Sequence, residues 1–192
     1  GNDALSIVTT NTAVTVHGNN GNDTLTSGAS SDILFGDAGN DSLVGGDADD
    51  SITGGTGNEA LVGGAGNDTL TGDSGYDTIS GGDNDDFIRL IASSTGGSVD
   101  GGAGNDTVEG VYSDLSQWTF TGNEVFRVYG SNTLNATEAG KFAKIELVSG
   151  YASGTLNFSG TANAAGNLDL NWIQYVNGGT GNDALSIVAT NT

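Results

Sequence analysis

No cysteine occurs anywhere in the 192 residues, and neither proline nor methionine does. The first absence excludes a disulfide framework, a thiolate metal site and a cysteine nucleophile, so whatever stabilises the chain is not sulfur. Positive charge is nearly absent too: 4 Lys plus Arg stand against 24 Asp plus Glu, a formal net charge of -20. A chain so short of basic residues has no face for a phosphate backbone, which excludes nucleic acid as a partner, and it is repelled by anionic membrane surfaces. Apolar residues make up 35% and come in short runs, well below the about 18 consecutive ones of a membrane span. G-x-S-x-G is missing, as are H-E-x-x-H and the second histidine that a zinc hydrolase site would use, so the chain reads as a non-enzyme.

Glycine and acids are what the chain has. There are 34 glycines, and between Gly18 and Glu109 15 Asp and 2 Glu face the single Arg89, whereas residues 110–177 carry 5 acids and 3 bases. Such acidity in one segment would ordinarily mean disorder. Here the acids recur at a fixed interval. Residues 18–89 divide without remainder into eight nonapeptides, from GNNGNDTLT to GGDNDDFIR, and a ninth, GGAGNDTVE, spans residues 101–109. The sixth place holds Asp23, Asp32, Asp41, Asp50, Glu59, Asp68, Asp77, Asp86 and Asp106. The eighth holds Leu25, Leu34, Leu43, Ile52, Leu61, Leu70, Ile79, Ile88 and Val108. The pattern is G-G-x-G-x-D-x-U-x, with U aliphatic.

Each place has a physical reading. Glycines at the first, second and fourth places allow positive φ and close backbone approach, so a tight turn can point its carbonyls inward. The acid at the end of that turn adds a carboxylate, and hard oxygens of both kinds are what Ca²⁺ takes, six to eight of them. The last three residues, such as Thr24-Leu25-Thr26, are β-prone with one aliphatic pointing to one side. A nonapeptide is then half of an 18-residue coil, and the loops of units i and i+2 stack.

These nonapeptides resemble those of the RTX family of secreted bacterial proteins. The resemblance implies an all-β fold, a right-handed parallel β-roll or β-solenoid, with several Ca²⁺ ions between successive loops. It implies that the sixth-position acids are ligands, in one stack of Asp23, Asp41, Glu59 and Asp77 and another of Asp32, Asp50, Asp68 and Asp86. Backbone carbonyls near the first and third places would supply the rest: Gly36 and Ala38, Gly45 and Asp47, Gly54 and Thr56, Gly63 and Ala65, Gly72 and Ser74, Gly81 and Asp83, Gly101 and Ala103. Departures from the motif locate weaker sites. Glu59 is one methylene longer than Asp, Ser27 and Ser31 replace turn residues around Asp32, and Ala48 and Asn84 stand where the fourth glycine belongs. Asp32 and Glu59 are expected to mark the weaker sites.

A second repeat joins the ends. Residues 1–12, GNDALSIVTTNT, recur as GNDALSIVATNT at 181–192, differing only at Thr9 and Ala189. This spacing predicts one period of a tandem array cut from a longer parent, in keeping with the missing initial methionine. It divides the chain into 1–17, the end of one calcium unit with a lead-in coil; 18–109, the calcium roll; 110–177, a calcium-free β segment; and 178–192, the start of the next unit. The gaps before Gly18 and Gly101 equal one coil plus two residues, so the roll should run on through both, pairing Asp3 with Asp23 and Asp86 with Asp106. Asp183 should bind calcium jointly with the next copy.

Residues 110–177 alternate in β fashion and read as a metal-free β-solenoid or a small β-sandwich, with one or two helical turns at 135–144. Its aromatics Tyr112, Trp118, Phe120, Phe126, Tyr129, Trp172 and Tyr175 read as packing rather than a carbohydrate platform, although a cell-surface glycan is a possible partner. His17 is a structural or exposed residue, since calcium prefers oxygen. The functional expectation is a calcium-dependent structural repeat of an extracellular bacterial assembly (surface layer, fibre or adhesin), exported unfolded by type I secretion, with further copies of itself as partners. The alternative is a folding and secretion module of an RTX protease, lipase or toxin.

Overall fold

The computed structural model describes residues 1–7, 12–91, 94–111, 113–135, 138 and 141–147, and the strands at 155–161, 176–178 and 184–190. The first seven strands are β1 (Ala4–Ser6), β2 (Thr15–His17), β3 (Thr24–Thr26), β4 (Ile33–Ala38), β5 (Ser42–Asp47), β6 (Ser51–Thr56) and β7 (Ala60–Ala65). Next come β8 (Thr69–Asp83), β9 (Phe87–Ile91), β10 (Ser94–Ala103), β11 (Thr107–Val111), β12 (Asp114–Leu115) and β13 (Trp118–Thr121). The last six are β14 (Val125–Tyr129), β15 (Ser131–Asn135), β16 (Lys144–Leu147), β17 (Thr155–Thr161), β18 (Val176–Gly178) and β19 (Ala184–Thr190).

The chain reverses every nine residues because the second and fourth places of the nonapeptide loops take positive φ, in every loop but that of residues 27–35. Gly64 (126°) and Gly66 (135°) show the pair. Asn and Asp tolerate the left-handed region, which accounts for Asn19, Asp37, Asp73 and Asn84 at these places, whereas Ala48 (72°) does so at a cost of about 1–2 kcal/mol. Each reversal feeds a strand that pairs in parallel with the strand one coil away. Ser42, Leu43 and Val44 face Ala60, Leu61 and Val62 on one side, and Ser51, Ile52 and Thr53 face Thr69, Leu70 and Thr71 on the other. Period-two alternation then points the eighth-place residue inward and its neighbours outward.

Two columns of apolar side chains therefore meet across a thin core. One runs Leu25, Leu43, Leu61, Ile79, Val99 and Phe120; the other runs Val16, Leu34, Ile52, Leu70, Ile88, Val108, Phe126 and Ile145. All of these residues are buried. Truncating one, as in Leu61→Ala, removes contacts that the neighbouring coils cannot close over, a loss of about 2–5 kcal/mol. The roll continues through both 20-residue gaps, with Ala4 facing Thr24 and Phe87 facing Thr107.

Beyond the nonapeptides the parallel coil also persists. β14 lies on β11, β16 on β14 and β18 on β16, while β12, β15, β17 and β19 build a further parallel sheet. Every pairing among the described residues is parallel, so this segment is a solenoid; a sandwich would need antiparallel sheets. Aromatics fill its wider interior: Phe142 lies 5.2 Å from both Phe120 and Phe126, and Trp118 is buried beside Phe120. Of the expected helical turns, one i→i+3 bond from Lys141 N–H to the Glu138 carbonyl is present. Tyr112, Trp172 and Tyr175 lie outside the described residues.

Candidate calcium site

Each loop delivers its sixth residue to the interior of a stack, and the two oxygens of that carboxylate meet different fates. Oδ1 is fixed by the backbone of the preceding coil. The N–H of Asp23 donates to Asp41 at 2.8 Å, that of Asp32 to Asp50 at 2.7 Å, that of Asp50 to Asp68 at 2.7 Å and that of Asp68 to Asp86 at 2.8 Å. The two longer gaps keep the same bond, from Asp3 to Asp23 at 2.6 Å and from Asp86 to Asp106 at 2.8 Å. The second stack is thus bonded from Asp32 through Asp106, while the first is bonded from Asp23 to Asp41 and from Glu59 N–H to Asp77 at 3.1 Å but interrupted at Glu59, whose own carboxylate accepts no bond. Asp183 lies outside the described residues.

The second oxygen has no protein partner. Oδ2 of Asp23, Asp41, Asp50, Asp68, Asp77, Asp86 and Asp106, and both carboxylate oxygens of Glu59, are buried without a hydrogen bond. These eight acids are at most 3% exposed. One buried, unpaired carboxylate costs several kcal/mol, and a row of them demands a counter-charge. Burial accordingly pushes Asp50 up to about 6 and Asp86 up to about 7, with neighbouring carboxylates adding to the effect. Glu59 is pushed up to about 9, by burial first and then by Asp77 beside it. Asp41, Asp68, Asp77 and Asp106 are raised for the same leading reason.

The unpartnered oxygens converge on the first-position carbonyls one coil further on. A Cβ built on Gly18 would sit 2.6 Å from Asp23 Oδ2 and 2.7 Å from the Gly36 carbonyl. One on Gly36 would sit 2.6 Å from Asp41 Oδ2 and 2.5 Å from the Gly54 carbonyl. Gly45, Gly63 and Gly81 repeat this cradle with Asp50, Asp68 and Asp86 and with the carbonyls of Gly63, Gly81 and Gly101. At Gly54 the wall is Glu59 Cγ and the Gly72 carbonyl, both 2.9 Å away. Among the described residues no three acidic or imidazole side chains close on one point. A cation held here must therefore draw on backbone carbonyls as well, and the mixture of carboxylate and carbonyl oxygens fits Ca²⁺.

The third-position carbonyls are partly committed. Those of Ala38, Thr56, Ser74 and Asp83 accept the N–H of Gly21, Gly39, Gly57 and Gly66 at 2.8, 2.9, 3.0 and 3.2 Å. Asp47, Ala65 and Ala103 lie in the same strand register. A carbonyl has a second lone pair, so this bond does not bar it from a cation.

Asp32 differs from the other acids in a way its loop sequence explains. Its Oδ1 accepts from Val14 N–H at 2.8 Å and its Oδ2 from Gly28 N–H at 3.2 Å, while the Ser27 hydroxyl donates to the Gly45 carbonyl at 2.5 Å. The protein itself satisfies Oδ2, the oxygen that other aspartate loops leave open. His17 stacks on Phe35 at 4.5 Å and bonds Asp37 at 3.0 Å, a surface packing role.

Two features escaped the reading of the repeat. An outer ladder uses the fifth place: Asn40 N–H donates to Asn22 Oδ1 and Asn58 N–H to Asn40 Oδ1 on one edge, and Asn67, Asp85 and Asn105 continue the same bond on the other. Recurrent Asn at that place was its signal. The inner ladder also runs past the nonapeptides, since Asp106 N–H donates to Glu124 Oε2 at 2.7 Å. The signal was Gly122-Asn123-Glu124-Val125-Phe126, a near match to Gly57-Asn58-Glu59-Ala60-Leu61.

The RTX calcium-binding nonapeptide repeat matches the chain in four copies, at residues 15–43, 36–70, 62–90 and 98–110. No curated protein and no solved structure matches it. Among the described residues no helix is long and apolar enough to cross a membrane. Repeated loops, carboxylate ladders and this match agree: residues 15–90 and 98–110 are RTX calcium-binding nonapeptide repeats, a repeat typical of secreted bacterial proteins.

Proposed function

We propose that this protein is a calcium-dependent structural repeat of a secreted bacterial surface or extracellular assembly, without a catalytic role, that folds on binding Ca²⁺ after export. The row of buried Oδ2 atoms without partners carries the reading. Two carboxylates about 4 Å apart repel by roughly 4 kcal/mol at an effective dielectric of about 20. Repeated along two stacks, that repulsion exceeds the roughly 5–15 kcal/mol by which domains are stable. Folding and cation binding are then one equilibrium, with the ion supplying the charge that the chain lacks.

A chain of this kind stays open where calcium is scarce, as in a cytosol, and closes where it reaches about 10⁻⁴–10⁻³ M, the range in which extracellular modules bind. The near identity of residues 1–12 and 181–192 supports a tandem array as the setting, with further copies as the partners. Circular dichroism tests the core of the proposal. In chelator the spectrum should be that of a disordered chain, converting cooperatively to β-structure in millimolar Ca²⁺; equal β-structure in both would end it.

A further inference from the structure

The carboxylate ladder extends beyond the last nonapeptide, and so does the chemistry that makes it a site. The bond from Asp106 N–H to Glu124 repeats, in kind and length, the bond from Asp86 N–H to Asp106. Strand register agrees: Thr107 faces Val125 and Val108 faces Phe126, which puts Glu124 where a sixth-position acid belongs. The loop is three residues shorter than its predecessor, because Asp100 faces Thr121 across the same pair of coils. Gly122 therefore stands level with Gly101, the first place of the unit below.

Three observations point to a ligand at this seam. Asp106 is fully buried, and its Oδ2 has no partner. A Cβ built on Gly101 would lie 2.6 Å from that oxygen and against the carbonyl of Gly122, the same cradle found at Gly18 and Gly36. Asn123 is 5% exposed and its Oδ1 is likewise buried without a partner, whereas Asn22, Asn40 and Asn58 at the corresponding place are exposed.

We propose that Asp106, Glu124 and the Gly122 carbonyl form a further calcium site, joining the nonapeptide roll to the aromatic-cored coils that follow. The site rests on the calcium reading of the roll and adds one ion to it. Its donors are two carboxylates and a carbonyl, all hard oxygens of the class that Ca²⁺ selects. Backbone bonds carry its effect onward. Glu124 and Val125 donate to the Asp106 carbonyl at 3.1 and 3.0 Å, and Lys144 N–H donates to the Glu124 carbonyl at 2.9 Å. An ion at the seam thus orders β14 and β16 along with the roll.

Glu124→Gln is the informative variant, since it keeps an oxygen for the Asp106 amide and removes the charge. Asp68→Asn, inside the roll, tests the parent reading in parallel. Calcium stoichiometry by equilibrium dialysis and hydrogen exchange of residues 125–129 are the readouts. Glu124→Gln should bind one ion fewer than the parent protein and lose at least tenfold of the calcium-dependent protection at 125–129, whereas Asp68→Asn should lose calcium within the roll. An unchanged ion count in Glu124→Gln beside a reduced count in Asp68→Asn overturns the seam site and leaves the roll standing. A parent protein that binds no calcium overturns both. Should Glu124→Gln not fold, the parent protein decides: protection at 125–129 that rises with calcium supports the site, and protection indifferent to calcium overturns it.

Discussion

A sixth-position aspartate divides its work between two oxygens. In Asp68, Oδ1 accepts the Asp50 amide at 2.7 Å while Oδ2 faces the cradle at Gly63. Asp68→Ala removes both functions. The Asp50 N–H is left buried without an acceptor, a loss of about 1–3 kcal/mol, and the sites shared with Asp50 and Asp86 weaken. Asp114→Ala removes an exposed acid that accepts a local bond from Ser116 N–H at 3.0 Å, and should leave calcium stoichiometry unchanged. Titration calorimetry on the two variants separates them; equal losses would mean that bulk charge, not the nonapeptide, holds the metal. The glycine opposite makes a sharper test. Gly63 does not need positive φ, yet a Cβ there would press between Asp68 Oδ2 and the Gly81 carbonyl, 2.6 Å away. Gly63→Ala should therefore cost an ion without altering the formal charge, and full stoichiometry in that variant would show that the cradle is not where calcium sits.

At the scale of the coil, the raised carboxylate pKa values fix the direction of pH dependence. Asp50, Asp86 and Glu59, at about 6, 7 and 9 in the calcium-free roll, titrate near 4 when unfolded. The folded state therefore holds protons that the unfolded state has released. Its stability is fully present below about pH 4 and is lost as pH rises through the folded values. In chelator, circular dichroism should show more β-structure at pH 4 than at pH 7.5, and the calcium midpoint should fall as pH rises, because ion and proton compete for the same oxygens. More β-structure at pH 7.5 than at pH 4 without calcium would contradict the assigned burial. The two carboxylate stacks were legible because one period fixes them: residues nine apart alternate between edges, and residues eighteen apart stack. Asp32 was legible as an exception, since Ser27 in place of glycine brings a hydroxyl to the Gly45 carbonyl. Glu124 was not. Its rung spans 21 residues from Gly101 to Gly122, and a loop shortened by three restores the spacing of 18 from Asp106 to Glu124. A fixed-period reading loses the thread at such a compensated insertion, and Phe126 in the aliphatic column hides it further. The choice of solenoid over sandwich for 110–147 likewise lay in strand pairing, which alternation alone does not specify.

For the molecule as a whole, the open end at β1 carries the argument. Leu5 stands in the same inner column as Leu25, but it is 44% exposed where Leu25 is 2% exposed. Among the described residues β1 pairs only with β3. Nearly the same segment recurs as β19, and there it is paired on the opposite side: Ala184, Leu185, Ser186 and Ile187 face Thr155, Leu156, Asn157 and Phe158 of β17. One sequence thus has a preceding coil at the far end of the chain and a following coil at the near end. In the tandem array proposed above, joined copies would satisfy both, with the β17 of one copy seating the β1 of the next and burying the residue equivalent to Leu5, a gain of about 1.5–3 kcal/mol for that side chain alone. Asp183 would then stand to the Asp23 of the next copy as Asp3 stands to Asp23 here, with calcium between them. A two-copy protein in millimolar Ca²⁺ should therefore appear by electron microscopy as a straight rod of twice the single-copy length. A hinged pair with a variable angle at the junction would show instead that the repeated segment is a flexible linker.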